Sequence, residues 1–320
     1  MPDTLPHQLA RQHSVPLPSL WVHRTPRSTF YARLDADSPT DYSHRETLIE
    51  TLRRGLRSAL SGAADGQGAG WFHVLAVLVR TDFRARYRGQ ALGIVWSVLY
   101  PLVMMSIMSF IFTHVFQSTD RNFPIFLLIG LICWQWITNS TTAATSVIVS
   151  HADIIKRTIF PRHLLPMAIV FSYGINFCIE AMTLLLFIPI FPHAFTLSPA
   201  LLLVPVFLFV LALLLTGIAL ITSGLNVIYR DVAYLVNTGL LILYWLTPVL
   251  YNDDRIPYPY RLVIQANPFS GLIVALRRAI MEGHVPSHLG WAGILLPTLV
   301  IFVVGWLVFR SYERMVLDYV

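Results

Sequence analysis

Apolar positions fall into six long blocks, at about 93–116, 123–147, 164–191, 201–227, 232–251 and 291–309. The blocks are continuously apolar rather than alternating, so they predict helices and not barrel strands. A bilayer core about 30 Å thick needs roughly 20 helical residues to cross it, and each block is long enough. The expected fold class is therefore all-α, a polytopic membrane protein with six transmembrane helices.

Ahead of the first block the pattern becomes amphipathic. On a 100° wheel Phe72, Leu75, Ala76, Val79, Phe83 and Tyr87 share an arc of about 120°, with Arg80, Arg84 and Arg88 beside it on the polar face. Asp82 and Arg86 stand four apart and can pair. This predicts a basic interface helix that turns inward at Gly89 and Gly93. Further upstream, residues 46–60 place Leu48, Leu52, Leu56 and Leu60 on one helical face, and "SGAADGQGAG" reads as a flexible linker. Residues 1–45 are polar and no apolar region follows the start, so a signal peptide is not expected. The chain thus divides into a cytoplasmic tail over 1–70, largely disordered, and a membrane domain over 71–320.

Between the last two blocks, residues 252–288 are too long for a turn and too polar for two crossings. After Asn267 and Pro268 the spacing predicts a helix from about Ser270 to Glu282, with Leu272, Ile273, Leu276, Ala279 and Ile280 on one side. Thirteen residues cannot span a bilayer. They fit a short external re-entrant helix over a cavity, with Arg277 and Arg278 on it.

Some blocks carry residues that a plain lipid-spanning helix does not need. Glu180 sits near mid-membrane, with Asn176 one turn earlier on the same face. An intramembrane acid faces the bundle interior or water, and both a polar packing role and a functional one are open. Pro248 is expected to kink the fifth block and free a carbonyl that then needs another partner. Trp96, Tyr100, Trp134 and Trp136 near span ends, with Tyr244 and Trp245 in the fifth block, fit interfacial belts or stacking platforms for sugar rings. Periodicity alone favours the belt.

Composition agrees with this pattern. The chain is 55% hydrophobic and 12% charged over 320 residues, about half the charge of a soluble domain, with a mean hydropathy of +0.62. The formal charge of +6 reports topology here rather than a nucleic-acid partner. Ten basic residues near span ends fall on one side (Arg80, Arg84, Arg86, Arg88, Lys156, Arg157, Arg162, Arg230, Arg310 and Arg314) and five on the other (Arg121, Arg255, Arg261, Arg277 and Arg278). That asymmetry places both termini in the cytoplasm. Cys133 and Cys178 lie inside blocks without a CxxC spacing, so neither a disulfide framework nor a zinc site is expected. His284 and His288 have helical ligand spacing, but Pro286 between them argues against one helix and against a metal site.

The missing chemistry narrows the function further. The sole lysine, Lys156, follows Ile155, so the chain holds no Walker A motif. No GxSxG, HExxH or GxGxxG is present, and no catalytic residue is expected. Asp253 and Asp254 read as a charged external turn rather than the metal-diphosphate site of a glycosyltransferase. A voltage sensor is excluded by arginines spaced two and four apart outside the apolar run.

Several ordered stretches resemble one family. "DFRARYRGQALGIVWSVLYPL", "DIIKRTIFPRHLLP", "LNVIYRDV", "YWLTPVLY" and "NPFSGLIVALRRAIMEG" are similar, over about 71–315, to the permease subunit of type-two ABC exporters of lipid-linked polysaccharide, the O-antigen, capsule and teichoic-acid group. The tail departs from that compact pattern. The resemblance implies a homodimeric permease in the bacterial inner membrane, joined to two separate ATPase subunits that hold ATP and Mg²⁺, with no cofactor on this chain. It implies a polyprenyl-pyrophosphate-linked glycan as substrate. Under it, Arg80, Arg84, Arg86 and Arg88 read the pyrophosphate, for which guanidinium forks are suited. The aromatics line the glycan path. Asp153, Ile155, Lys156, Arg157, Ile159 and Phe160 couple to the ATPase, and Asn267, Pro268, Arg277 and Arg278 belong to a gate helix. A permease for a drug or small lipid and an integral glycosyltransferase are the alternatives.

Overall fold

The computed structural model describes residues 69–88, 93–115, 121–152, 155, 161–253, 256–257 and 259–313. Among them the regular elements are helical and no strand occurs. In chain order they are α1 (Ala69–Tyr87), α2 (Gly93–Phe110), α3 (Phe123–Ser150), α4 (Leu164–Phe187), α5 (Val204–Ile228), α6 (Val232–Leu246), α7 (Tyr260–Ala266), α8 (Pro268–Met281) and α9 (His288–Tyr312). Short π and 3-10 turns extend α2 to Val115 and precede α5 from Pro199. Five segments are long and apolar enough to cross a bilayer: Gly93–Val115, Phe123–Ser150, Leu164–Phe187, Pro199–Ile228 and His288–Tyr312.

The fifth predicted block behaves differently. α6 stops after 15 residues at Leu246. A proline drives the residue before it out of the α region, and Thr247 is extended at φ −103°, ψ 134°. Pro248 therefore ends the helix instead of kinking it. The carbonyls left over find side-chain donors. The Thr247 hydroxyl donates to Leu243 O at 2.6 Å and the Tyr251 hydroxyl to Trp245 O at 2.9 Å. The non-helical turn Thr247–Leu250 is buried in protein, where irregular backbone at membrane depth is tolerated.

α3 is the central helix. It packs against α4, α5 and α6, and Leu127, Leu128, Ile137 and Ile148 on it are fully buried. Apolar burial alone does not hold helices together in lipid, because acyl chains are as apolar as leucine; close packing and cross-helix hydrogen bonds do. Both occur here. α5 and α9 meet at Gly217 and Gly305. A Cβ on Gly217 would lie 2.7 Å from the Phe302 backbone, and one on Gly305 would strike the Gly217 carbonyl. Thr145 on α3 donates to Thr222 on α5 at 2.9 Å, and Thr142 to Asn237 on α6 at 3.0 Å. α2 is the loosest of the long helices, with Gly93, Pro101 and Met105 its buried residues.

Alternating helices create two ends. At one, Arg162 donates to the Glu313 carbonyl at 2.6 Å. At the other, Asn122 donates to His193 O at 3.3 Å and the Thr196 amide to Ile280 O at 3.0 Å. α8 belongs to this second end. Asn267 caps it by accepting from the Phe269 amide at 3.0 Å, with Pro268 at the first helical position. Leu272, Ile273, Leu276 and Ala279 form its buried face, as the spacing predicts. Gly283 takes a left-handed φ of 69° and turns the chain back toward α9.

Candidate functional site

Among the described residues the polar chemistry gathers in three places. The first is where α1 meets α4. Val74 and Leu78 are the buried residues of α1, while Phe72 is 77% exposed. The protein-facing side is therefore turned away from the predicted arc, leaving Phe72 outward. Arg80, Arg84 and Arg88 are exposed and Arg86 is half-buried. Arg86 donates to Asp82 at 2.5 Å and to Ser172 Oγ at 3.1 Å, and its guanidinium lies 3.4 Å from the centre of the Tyr173 ring. Ser172 in turn donates to Asp82 at 2.6 Å. The fourth arginine thus clamps α1 onto α4, and the other three stay available on the outer face.

One turn deeper the clamp continues as a hydrogen-bonded chain. The Tyr87 hydroxyl meets Ser97 Oγ at 2.9 Å and donates to the Asn176 side-chain carbonyl. Asn176 Nδ2 donates to Glu180 Oε1 at 2.7 Å. Glu180 is 1% exposed, so the acid faces the protein interior. Ser172, Asn176 and Glu180 repeat every four residues along α4, a helical polar stripe that was readable in the sequence. Its anchoring to α1 through Tyr173 and Tyr87 had no such signal.

The second place is the Arg162 end. Ile155 is 3% exposed, with its amide bonded to His151 O at 3.1 Å. Asp153, Lys156, Arg157, Ile159 and Phe160 lie outside the described residues. Just beyond them His163 packs edge-on against Trp306, with centroids 4.8 Å apart. Burial holds the His163 imidazole below its ordinary pKa, with the Glu313 carboxylate pulling weakly the other way. Sequence reading missed this latch between the connection and the end of α9.

The third place is the Asn122 end. Arg277 is 4% exposed and donates to the carbonyls of Pro248 and Val249 at 2.9 and 3.0 Å. Its guanidinium stands 3.5 Å from the centre of the Phe126 ring. Gly130 of α3 makes room for it, since a Cβ there would collide with the arginine. Asn267 Nδ2 donates to Thr247 Oγ1 at 2.8 Å. Arg278 and Arg261 both reach Asp253, at 3.2 and 3.4 Å.

The six candidate aromatics separate. Trp136 is buried and its indole N–H donates to Val170 O at 3.1 Å. Trp134 is buried against Tyr244 and Phe269, at centroid distances of 5.5 and 6.4 Å. Trp96, Tyr100 and Trp245 are exposed, and Tyr244 is partly buried between Trp134 and Trp245.

Long apolar helices crossing a bilayer, with a basic helix clamped at one side and a charged amphipathic helix at one end, define a polytopic membrane protein of the transporter class. The chain belongs to the ABC-2 type transporter membrane family, whose profile matches residues 73–281. Among its relatives is the O-antigen export system permease protein RfbA of Klebsiella pneumoniae, 30% identical over 249 residues, or 76% of this chain and 95% of the relative. RfbA of Myxococcus xanthus is 28% identical over 218 residues, 67% of this chain and 82% of the relative. The polysialic acid transport protein KpsM of Escherichia coli is 24% identical over 245 residues, 74% of this chain and 92% of the relative.

Proposed function

We propose that this chain is the permease half of an ATP-driven exporter of polysaccharide. It works as a homodimer with two separate ATPase subunits in the bacterial inner membrane, both termini in the cytoplasm. The substrate is a glycan on a polyprenyl-pyrophosphate lipid. The observation that carries the reading is likeness to export permeases for O-antigen and polysialic acid over about three quarters of the chain. The absence of a Walker A motif from the sequence fits an ATPase on another subunit.

Each part of the site takes a role under this reading. α1 lies in the cytoplasmic interface, where Arg80, Arg84 and Arg88 present guanidinium forks to the pyrophosphate while Arg86 holds the helix in place. α6 and the buried run Thr247–Leu250 together make the sixth crossing. α7 and α8 re-enter from the outer face as a gate, with Asn267 and Arg277 tying the gate helix to the end of that crossing. The exposed aromatics Trp96, Tyr100 and Trp245, with Tyr244 behind them, face the glycan path, while Trp134 and Trp136 support it from the core. The segment 153–160 docks in the ATPase.

The test is reconstitution of the chain with its ATPase in vesicles holding polyprenyl-pyrophosphate-linked glycan. The expected result is ATP-dependent appearance of glycan on the opposite face. Transfer of a small lipid or drug, with no movement of glycan, overturns the reading.

A further inference from the structure

A cavity of about 820 Å³ opens at the Asn122 end between α8 and the first turns of α9. It borders the Arg277 clamp at Pro248, and Trp96, Tyr100 and Trp245 do not line it. Its polar walls are Asp253, Gln265, Ser270, Arg278, Glu282, His284 and Ser287. We propose that this cavity is a saccharide-binding site at the exit side of the permease, taking a short run of sugar rings from the moving glycan. The proposal rests on the reading of the chain as a polysaccharide exporter.

Three observations support a polyol ligand. Sugar hydroxyls donate and accept at once, so a site for them mixes acceptors and donors, and this wall does: two carboxylates, a guanidinium, an amide, two hydroxyls and an imidazole. Ser270 is 3% exposed and its hydroxyl has no hydrogen-bond partner among the described residues. A buried unpaired hydroxyl is costly, and a rotation of the Ser270 side chain toward the cavity would bring it to a ligand hydroxyl. The volume lies within the range of small-molecule sites, about 300–1,000 Å³, and far exceeds the roughly 30 Å³ of one water.

Charge argues against a lipid phosphate. Asp253 and Glu282 both face the cavity, and Arg278 is already engaged by Asp253 at 3.2 Å. Among the described lining residues a phosphate would meet two carboxylates for one guanidinium. Among the described residues the lining holds no Phe, Tyr or Trp ring, so sugars would be gripped mainly by their polar edges. Weak binding of that kind suits a translocation path, where a ligand must leave as readily as it enters.

The backbone keeps the space open. The left-handed Gly283 turns residues 284–287 along the cavity wall. Gly293 on α9 lines it too, and a Cβ added there meets no atom within 4 Å. Gly293→Phe therefore adds its Cβ without a clash and places a ring at the cavity wall.

The experiment uses the full chain with its ATPase in glycan-exporting cells. A Cys178→Ser chain carries Val285→Cys, on the cavity wall, labelled with a benzophenone maleimide; a second chain carries Tyr100→Cys on the exposed face of α2. After illumination the expected product at position 285 is a high-mass adduct destroyed by periodate. Gly293→Phe is expected to cut its yield about tenfold, the equivalent of losing one or two hydrogen bonds. Chain abundance in the membrane is measured alongside, and Gln265→Leu replaces Gly293→Phe if that chain fails to accumulate. An adduct of phospholipid mass alone overturns the proposal. So does a periodate-sensitive adduct at position 100 without one at 285, which leaves the export reading intact. A yield unchanged by the cavity variant also overturns it. No glycan adduct at either position, in cells whose surface glycan does not depend on the chain, removes both.

Discussion

Arg277 and Pro248 are joined by a hydrogen bond of 2.9 Å, from a buried guanidinium to the carbonyl of the residue that ends α6. The same guanidinium holds Val249 O at 3.0 Å and stacks on Phe126. A cation is costly to bury, and here two carbonyl dipoles and a ring face offset that cost. Arg277→Leu leaves both carbonyls without this donor, at about 1–3 kcal/mol each. Arg277→Lys keeps the charge but cannot bridge the two with a planar fork. Thermal unfolding in detergent should show both variants destabilised, the leucine variant by several degrees. Equal stability of all three chains would remove Arg277 as the tie between gate and crossing.

The α5–α9 crossing predicts a purely steric effect. The Gly305 Cα faces the Gly217 carbonyl, and the Gly217 Cα faces the Phe302 backbone. Those contacts are backbone, so no side chain can swing aside. Gly305→Leu must push the helices apart, at about 1–3 kcal/mol or more. Gly239, where an added Cβ meets nothing within 4 Å, should accept leucine with little change. Chain levels in the membrane and unfolding temperature report both.

The buried chain Tyr87–Asn176–Glu180 distinguishes polar packing from charge. Glu180→Gln keeps the shape and can still accept from Asn176, so folding and export should survive. Glu180→Leu strips Asn176 Nδ2 of its acceptor, at about 1–3 kcal/mol, and should lower chain levels. Loss of export in a glutamine variant that folds normally would instead assign a role to the carboxyl proton.

The sequence made the long helices legible because apolar length alone decides a crossing. It also placed α8, through Asn267, Pro268 and the spacing of Leu272, Ile273 and Leu276. Glu180 was legible as inward-facing because lipid forbids the alternative. The end of α6 was not. Proline at position 248 permits a kink or a stop, and the choice depends on Arg277 and Asn267, distant in sequence, supplying donors to residues 247–249. The rotation of α1 was hidden for a similar reason. Its apolar arc divides between protein and surroundings, and only the partners Ser172 and Tyr173 on α4 fix which part turns inward.

His163 gives a pH expectation. Burial against Trp306 lowers its pKa below the ordinary value of about 6.5. The unfolded chain then binds a proton more readily than the folded one, so this contribution to stability is complete above the unfolded pKa and fades as pH falls below it. His163→Phe keeps the ring contact and removes the proton site. Between pH 7 and about 5 the wild-type chain should lose more stability than the variant, read as the difference in unfolding temperature. Parallel curves would exclude His163 as a source of acid sensitivity.

The four arginines of α1 should not behave alike. Arg86 is committed to Asp82, Ser172 and Tyr173, whereas Arg84 and Arg88 are exposed. Arg86→Lys loses the fork and the ring stack, so it should loosen α1 from α4 and reduce stability whatever the substrate. Arg84→Lys and Arg88→Lys should leave stability unchanged, because an exposed charge adds little. If these two grip the pyrophosphate, each charge-assisted contact contributes about 1.5–3 kcal/mol, and weakening both lowers substrate affinity by up to a hundredfold or more. The readout is the substrate concentration needed to stimulate ATPase activity in the purified complex. Anchoring to the membrane needs only positive charge, which lysine keeps, so it predicts an unshifted curve. A large shift for the Arg84/Arg88 double variant at wild-type stability supports recognition. An unshifted curve assigns these arginines to anchoring and moves pyrophosphate recognition elsewhere on the chain.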